Sequence, residues 1–144
     1  MSARSICPDF SALEVPMDHW SEPFWRAAEE HRLLVPRCGA CGTFRWPSGP
    51  FCSQCQSQNV EWLPPGQGRI YSFTVLPVRG DGEAAPPQFR IPALVVFDEA
   101  PGVRLVSSLV DAPAAAVAID ALVEVDWLAA ANTTVPVFRL RGES

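Results

Sequence analysis

Four cysteines constrain this chain more than anything else in it. Cys38 and Cys41 enclose Gly-Ala, Cys52 and Cys55 enclose Ser-Gln, and ten residues separate the two pairs. A Cys-x-x-Cys pair folds as a tight knuckle that aims two sulfurs at one point. Two facing knuckles supply the tetrahedral thiolate set that zinc prefers. Four protein ligands leave no open position for water or substrate, so one structural zinc ion is expected at Cys38, Cys41, Cys52 and Cys55. A rubredoxin-type iron site would use the same sulfur geometry; the lack of any other redox element favours zinc. Cys7 stands outside the pattern. With no base identifiable near it, it reads as a spare thiol in a mobile N-terminal tail rather than a nucleophile.

The 144 residues fit one compact domain or two small ones, and 48% of them are hydrophobic, which argues for a packed fold. No apolar run approaches the roughly 20 residues that span a bilayer. The first ten residues lack a basic stretch followed by an apolar core. The expectation is a cytoplasmic protein without a membrane anchor, in a compartment that keeps thiols available to metal. The net charge is −5, and all eleven basic residues are arginine. Acids outnumber arginines both before and after residue 66. Neither half therefore carries the basic footprint that phosphate-backbone binding demands.

Residues 1–20 read as irregular. A helix is expected from Ser21, with Ser21 as N-cap, Glu22 at the positive end of the dipole and Pro23 in the first turn. It would place Phe24, Ala27, Ala28 and His31 on one face. Leu33 to Arg37 reads as a short strand entering the first knuckle. Thr43 to Trp46 leaves it, so that the two suggest a hairpin, and Val60 to Trp62 is a further extended piece. Such a ribbon has little core of its own, so its folding should be coupled to metal binding.

Pro64-Pro65-Gly66 marks a boundary. Beyond it the pattern is β: Gly68–Val75, Ala93–Phe97, Val103–Val110, Ala121–Leu128 and Thr134–Leu140. Residues 80–90 read as a loop, and Ala112 to Ile119 as a short helix or turn. Five strands with a longer connection between the third and fourth suit a Greek-key OB barrel, with a small β-sandwich as the alternative. The expected fold is mainly β: an N-terminal tail and helix (1–32), a rubredoxin-like zinc ribbon (33–63) and a five-stranded OB-fold barrel (64–144).

Candidate functional residues are few. His19 and His31 could serve as bases, but no Ser-His-Asp or Cys-His set is legible and no glycine-rich phosphate cradle occurs. Packing or solvation accounts for both. Four of the five tryptophans fall within the first 62 residues. Either they cover a thin core, or some anchor a partner protein. Trp20, Phe24 and Trp25 are the candidates for such an interface. Arg69, Arg79, Arg90, Arg104 and Arg139 lie on or beside the strands. They read as solvated surface, or as contacts for the phosphates of a coenzyme A ligand.

These residues resemble a family. Pro23-Phe24-Trp25 opening a helix, Leu33-Leu34, Arg37-Cys38-x-x-Cys41-Gly42, Trp46-Pro47, Cys52-x-x-Cys55 and Gly68-Arg69-Ile70-Tyr71-Ser72-Phe73-Thr74 are similar to the zinc-ribbon plus OB-fold proteins of the domain of unknown function 35 family. Later segments agree, including Ile91-Pro92-Ala93 and Arg104-Leu105-Val106-Ser107-Ser108. The chain departs where the family has a glycine turn before the fourth strand and this sequence has Ile119-Asp120-Ala121. The resemblance implies a non-catalytic accessory subunit in a hetero-oligomer with a thiolase-like enzyme or a MaoC-type enoyl-CoA hydratase. It would act in lipid or sterol acyl-CoA metabolism and could bind or shield the acyl-CoA thioester. The rival is a nucleic-acid-binding zinc-ribbon and OB module, which the acidic charge and the scarcity of strand aromatics oppose.

Overall fold

The computed structural model describes residues 3–78 and 88–142. One helix, α1 (Glu22–Glu29), precedes eight strands: β1 (Val35–Cys38), β2 (Val60–Leu63), β3 (Gly68–Phe73), β4 (Leu76–Val78), β5 (Gln88–Phe97), β6 (Leu105–Leu109), β7 (Leu122–Ala129) and β8 (Thr134–Leu140). No helix among the described residues is long and apolar enough to cross a membrane.

The five long strands pair around a ring, β3–β5–β6–β8–β7–β3, with β6 and β8 parallel and every other neighbour antiparallel. This is the OB-fold order. Two seams are thin: Leu109 opposite Phe138 is the single pair joining β6 to β8, and two pairs join β3 to β7. Side chains alternate along β5, with Ile91, Ala93, Val95 and Phe97 facing in. They meet Ile70, Leu109 and Phe138 in the core. At Gly68 the strands approach so closely that a Cβ would lie 3.1 Å from Val123 and 3.2 Å from Val95. A bulge between Ile70 and Ser72 turns Tyr71 outward.

Several expectations change. β5 is ten residues long and includes Gln88–Arg90, read above as loop; the rest of that loop, 80–87, lies outside the described residues. Pro92 does not break β5 because its ring faces outward while its carbonyl accepts the Thr74 N–H. The segment read as one strand through Val75 ends at Phe73, and β4 folds back on the start of β5. β1 pairs over its length with β2, which was not expected, and on its other edge forms the expected short hairpin with Thr43–Trp46, where Arg37 stands opposite Phe44, Arg45 donates its N–H to Pro36 O and Cys38 donates its N–H to Thr43 O. Ala114–Ala116 forms a single 3-10 turn between β6 and β7. The turn before β7 keeps its shape without glycine: Asp120 takes φ 69°, a conformation aspartate tolerates, and donates its N–H to Ile70.

From residue 3 on, the N-terminal tail is irregular and is tied to the barrel by hydrogen bonds. Buried Ser5 donates its hydroxyl to the Leu109 carbonyl at 2.8 Å and accepts the Ala112 N–H at 3.0 Å. Arg4 binds Asp111, and the side chain of Asn132 grips both backbone groups of Val15. Cys7 is exposed on this pinned segment.

Helix α1 starts where expected, but Ser21 makes no side-chain cap bond. The Asp18 carboxylate accepts the N–H groups of Trp20 and Ser21, and the Ser21 hydroxyl accepts the N–H of Asp18. Phe24, Ala27 and Ala28 are buried. Thr133 and Thr134 donate their hydroxyls to the carbonyls of Trp25 and Ala28, which fastens the helix to β8. His31 is not on the helix stripe: the helix has ended, His31 has φ 58°, and its ring stacks on Trp127 at 5.6 Å.

Candidate functional site

The two knuckles are built alike. Cys38 N–H donates to Thr43 O, and Gly42 N–H returns to Cys38 O; Cys52 N–H donates to Ser57 O, and Gln56 N–H returns to Cys52 O. Each knuckle closes on a left-handed residue, Gly42 at φ 80° and Gln56 at φ 66°. Backbone N–H groups aim at the sulfurs, from Cys41 to Cys38 Sγ at 3.5 Å and from Gln54 to Cys52 Sγ at 3.4 Å. The four Sγ atoms lie within 4.8 Å of one another. Cys38 and Cys55 are 3.6 Å apart, as are Cys41 and Cys52. Tetrahedral thiolates at about 2.3 Å from a zinc ion would stand about 3.8 Å apart, so the donor set fits the metal.

The N–H of Cys41 holds the Cys38 thiol at a pKa of about 6. The Thr43 hydroxyl and N–H lower that of Cys41. At Cys55 a backbone bond from Ser57 pulls downward, but the sulfurs of Cys38, Cys41 and Cys52 and burial push the pKa up to about 12. Packed thiols share their protons until a divalent cation replaces them. Cys38 and Cys52 are buried and Cys41 and Cys55 exposed, so one edge of the centre meets solvent. Among the described residues no other group of three or more His, Cys, Asp or Glu side chains converges.

The second feature is a groove of about 460 Å³ where helix, ribbon and barrel meet. Phe24 and Trp25 come from α1, Trp46 and Pro47 from the connector between the knuckles, Val106 from β6 and Pro136 from β8. Phe24 forms its floor, 5% exposed, with Trp25 edge-on at 4.9 Å and Trp46 tilted at 5.2 Å. Trp25 and Trp46 are half-buried walls. Val106, on the rim, is 73% exposed. Of the three residues singled out as an interface, Phe24 and Trp25 line this groove; Trp20 does not, and packs edge-on to His19 at 5.0 Å. Sequence reading missed Trp46, Pro47, Val106 and Pro136. Trp46-Pro47 carried a signal, used above only for the family resemblance; Val106 sat in an apolar run that hides which face it serves.

The candidate arginines divide. Arg69 binds Asp98, and Arg139 binds Asp126 and Asp111. Arg104 lies over the Tyr71 ring at 4.4 Å, Arg90 is exposed, and Arg79 lies outside the described residues.

Known proteins place this architecture. The profile of the ChsH2 rubredoxin-like zinc ribbon domain matches residues 25–61, and that of the ChsH2 C-terminal OB-fold domain matches residues 63–128. A solved structure described as an Ltp2-ChsH2(DUF35) aldolase superposes with a TM-score of 0.73 at 33% identity, covering 88% of this chain and 98% of that one. The chain belongs to the ChsH2 branch of the domain of unknown function 35 family. A DUF35 protein of unknown function from Sulfolobus solfataricus shares the fold, with a TM-score of 0.62 at 16% identity over 86% of this chain and 85% of that one. A Thermomonospora curvata protein named a probable enoyl-CoA hydratase alpha subunit is 38% identical over 120 residues, 81% of this chain and 36% of the relative. A Methanocaldococcus jannaschii DUF35 domain-containing scaffold protein is 29% identical over 93 residues, 60% of this chain and 62% of the relative. The chain thus spans about a third of the first curated relative and three fifths of the second.

Proposed function

We propose that this protein is a non-catalytic accessory subunit that docks to an acyl-CoA-processing enzyme, of thiolase type or an enoyl-CoA hydratase, in lipid or sterol acyl-CoA metabolism. The observation that carries the reading is the apolar groove assembled jointly by α1, the ribbon and the barrel. Apolar surface rimmed by polar residues marks an interaction site, and half-buried tryptophans suit an interface hot spot. The names of the relatives supply the chemistry: a hydratase subunit, a scaffold protein and an aldolase complex. His19 packs edge-on to Trp20 and His31 stacks on Trp127, packing roles that leave the chemistry to the partner. Arg90 and Arg104, which have no acid partner among the described residues, are the groups we assign to the phosphates of a shared acyl-CoA thioester. Trp20 is assigned to the outer edge of the interface.

The test is affinity capture from the native source with wild-type protein and Trp25→Ala. An acyl-CoA-acting enzyme retained by the first and depleted with the second is the expected result. The isolated chain should turn over no acyl-CoA. Turnover by the isolated chain, abolished by one polar substitution, would overturn the non-catalytic role. Sub-micromolar, salt-dependent binding to single-stranded nucleic acid, with no enzyme captured, would favour the rival reading.

A further inference from the structure

Besides its thiols, the ribbon from Leu33 to Leu63 contains three charged side chains, Arg37, Arg45 and Glu61. Arg37 and Glu61 face each other across β1 and β2 and pair, with Arg37 Nε 2.6 Å from Glu61 Oε1. Arg45 is left without an acid in the ribbon. It is also only 6% exposed, and no other Arg, Asp or Glu among the described residues is buried. Its Nη1 donates to the Gly49 carbonyl at 3.3 Å and its Nη2 to the Asn59 carbonyl, while Nε meets no acceptor. A cation held among neutral carbonyls is unfavourable unless an anion stands near enough to repay its desolvation.

The ribbon offers one such anion. Four thiolates around a divalent zinc carry a net charge of about −2. Arg45 is tied to both knuckles that form this centre. The Asn59 carbonyl that it binds also accepts the N–H of Gly39, inside the first knuckle, at 3.1 Å. The Gly49 carbonyl lies three residues before Cys52, at the entrance to the second. Between Arg45 and Gly49 hang Trp46, Pro47 and Ser48, which wall the groove.

We propose that Arg45 is the built-in counter-cation of the zinc tetrathiolate, and that through its grip on Gly49 it fixes the Trp46–Ser48 wall of the groove. It is a positioning residue: it binds no metal itself, but sets the charge around the sulfurs and the shape of the connector. The zinc assignment is the only earlier reading on which this rests; it stands whether or not the groove receives an enzyme.

The experiment compares zinc-loaded wild type, Arg45→Lys and Arg45→Gln as the full chain. Zinc affinity is read by competition with a chromophoric chelator. Arg45→Gln should bind zinc about tenfold or more weakly, in the range set by removing an outer-shell partner, and Arg45→Lys should stay within about threefold of wild type. In the cobalt-substituted proteins the sulfur-to-cobalt charge-transfer band should shift in Arg45→Gln and stay in place in Arg45→Lys. Hydrogen exchange of a peptide spanning residues 45–51 should accelerate in zinc-loaded Arg45→Gln, while β7 and β8 remain protected, which separates a local effect from unfolding. Wild-type zinc affinity in Arg45→Gln would overturn the proposal. So would an equal loss in Lys and Gln variants, since hydrogen-bond geometry rather than charge would then be at work. Unchanged exchange at residues 45–51 would sever the link to the groove wall.

Discussion

At the scale of single residues, two positions show how the chain meets a requirement with unequal means. The knuckles need a left-handed residue after the second cysteine, and the chain places glycine at one and glutamine at the other. A side chain at Gly42 would meet nothing within 4 Å, so any cost there is backbone alone. Left-handed conformation costs a non-glycine residue about 1 kcal/mol. Gly42→Gln should therefore lower stability by about that much, and Gln56→Gly should raise it by a few tenths after the added freedom of the unfolded chain is subtracted. Thermal melts of the zinc-loaded variants check both, and a Gly42→Gln protein as stable as wild type would refute the argument. Ser5 presents the opposite case, a polar group whose burial is fully used. Ser5→Ala would strand the Ala112 N–H and one bond of the Leu109 carbonyl, costing about 1–3 kcal/mol. The melting temperature should fall, whereas a tail that merely lay on the surface would leave it unchanged.

At the scale of elements, ion pairs reinforce the barrel between strands. Arg69 of β3 holds Asp98 at the end of β5, and Arg139 of β8 holds Asp126 of β7. Bonds from these arginines lower the pKa of both carboxylates, with the Trp127 N–H adding to the effect at Asp126. A folded pKa below the unfolded one gives stability that is present above the unfolded value, near 3.8. It is lost as the pH falls through the folded values. The melting temperature should therefore drop between about pH 4 and pH 2, and the drop should be shallower in the Asp98→Asn, Asp126→Asn double variant. Equal slopes would show the pairs to be screened by solvent. What the sequence disclosed about these elements follows the range of the interactions. The knuckles were legible because a Cys-x-x-Cys turn is local, and β8 because Thr134, Val135, Val137 and Phe138 are strong strand formers in one short run. The pairing of β1 with β2 was not, since 24 residues separate Arg37 from Glu61 and only closure of the two knuckles brings them together. His31 fits the helical period, yet the helix ends before it: the N–H groups of Glu30 and Arg32 both turn back to the Ala27 carbonyl, that of His31 goes to the Ala28 carbonyl, and His31 takes the left-handed φ of 58°. The groove escaped because no one element contains it.

At the scale of the whole molecule, ribbon and barrel share one hydrophobic core. Val35 of β1 is fully buried with the barrel residues, and Leu33, Phe44 and Trp46 pack against the same cluster. The zinc centre therefore has reach beyond its ligands: the ribbon it closes forms one wall of the groove and one cover of the barrel. If the groove is where a partner docks, three unrelated lesions should converge on one phenotype. Val106→Asp places a charge on a rim residue that is 73% exposed. It should leave stability within about 0.5 kcal/mol of wild type while abolishing capture of the partner enzyme. Trp25→Ala should weaken capture and also cost stability, because Trp25 packs on Phe24. Cys38→Ser should release zinc, unfold the ribbon and abolish capture, although no cysteine lines the groove. The pairing of β7 with β8 should survive all three, as hydrogen exchange would report. The Cys38→Ser result is the most discriminating of the set. Capture that persisted after zinc loss would put the docking surface on the barrel alone, and would leave the closed thiolate site with no role beyond its own fold.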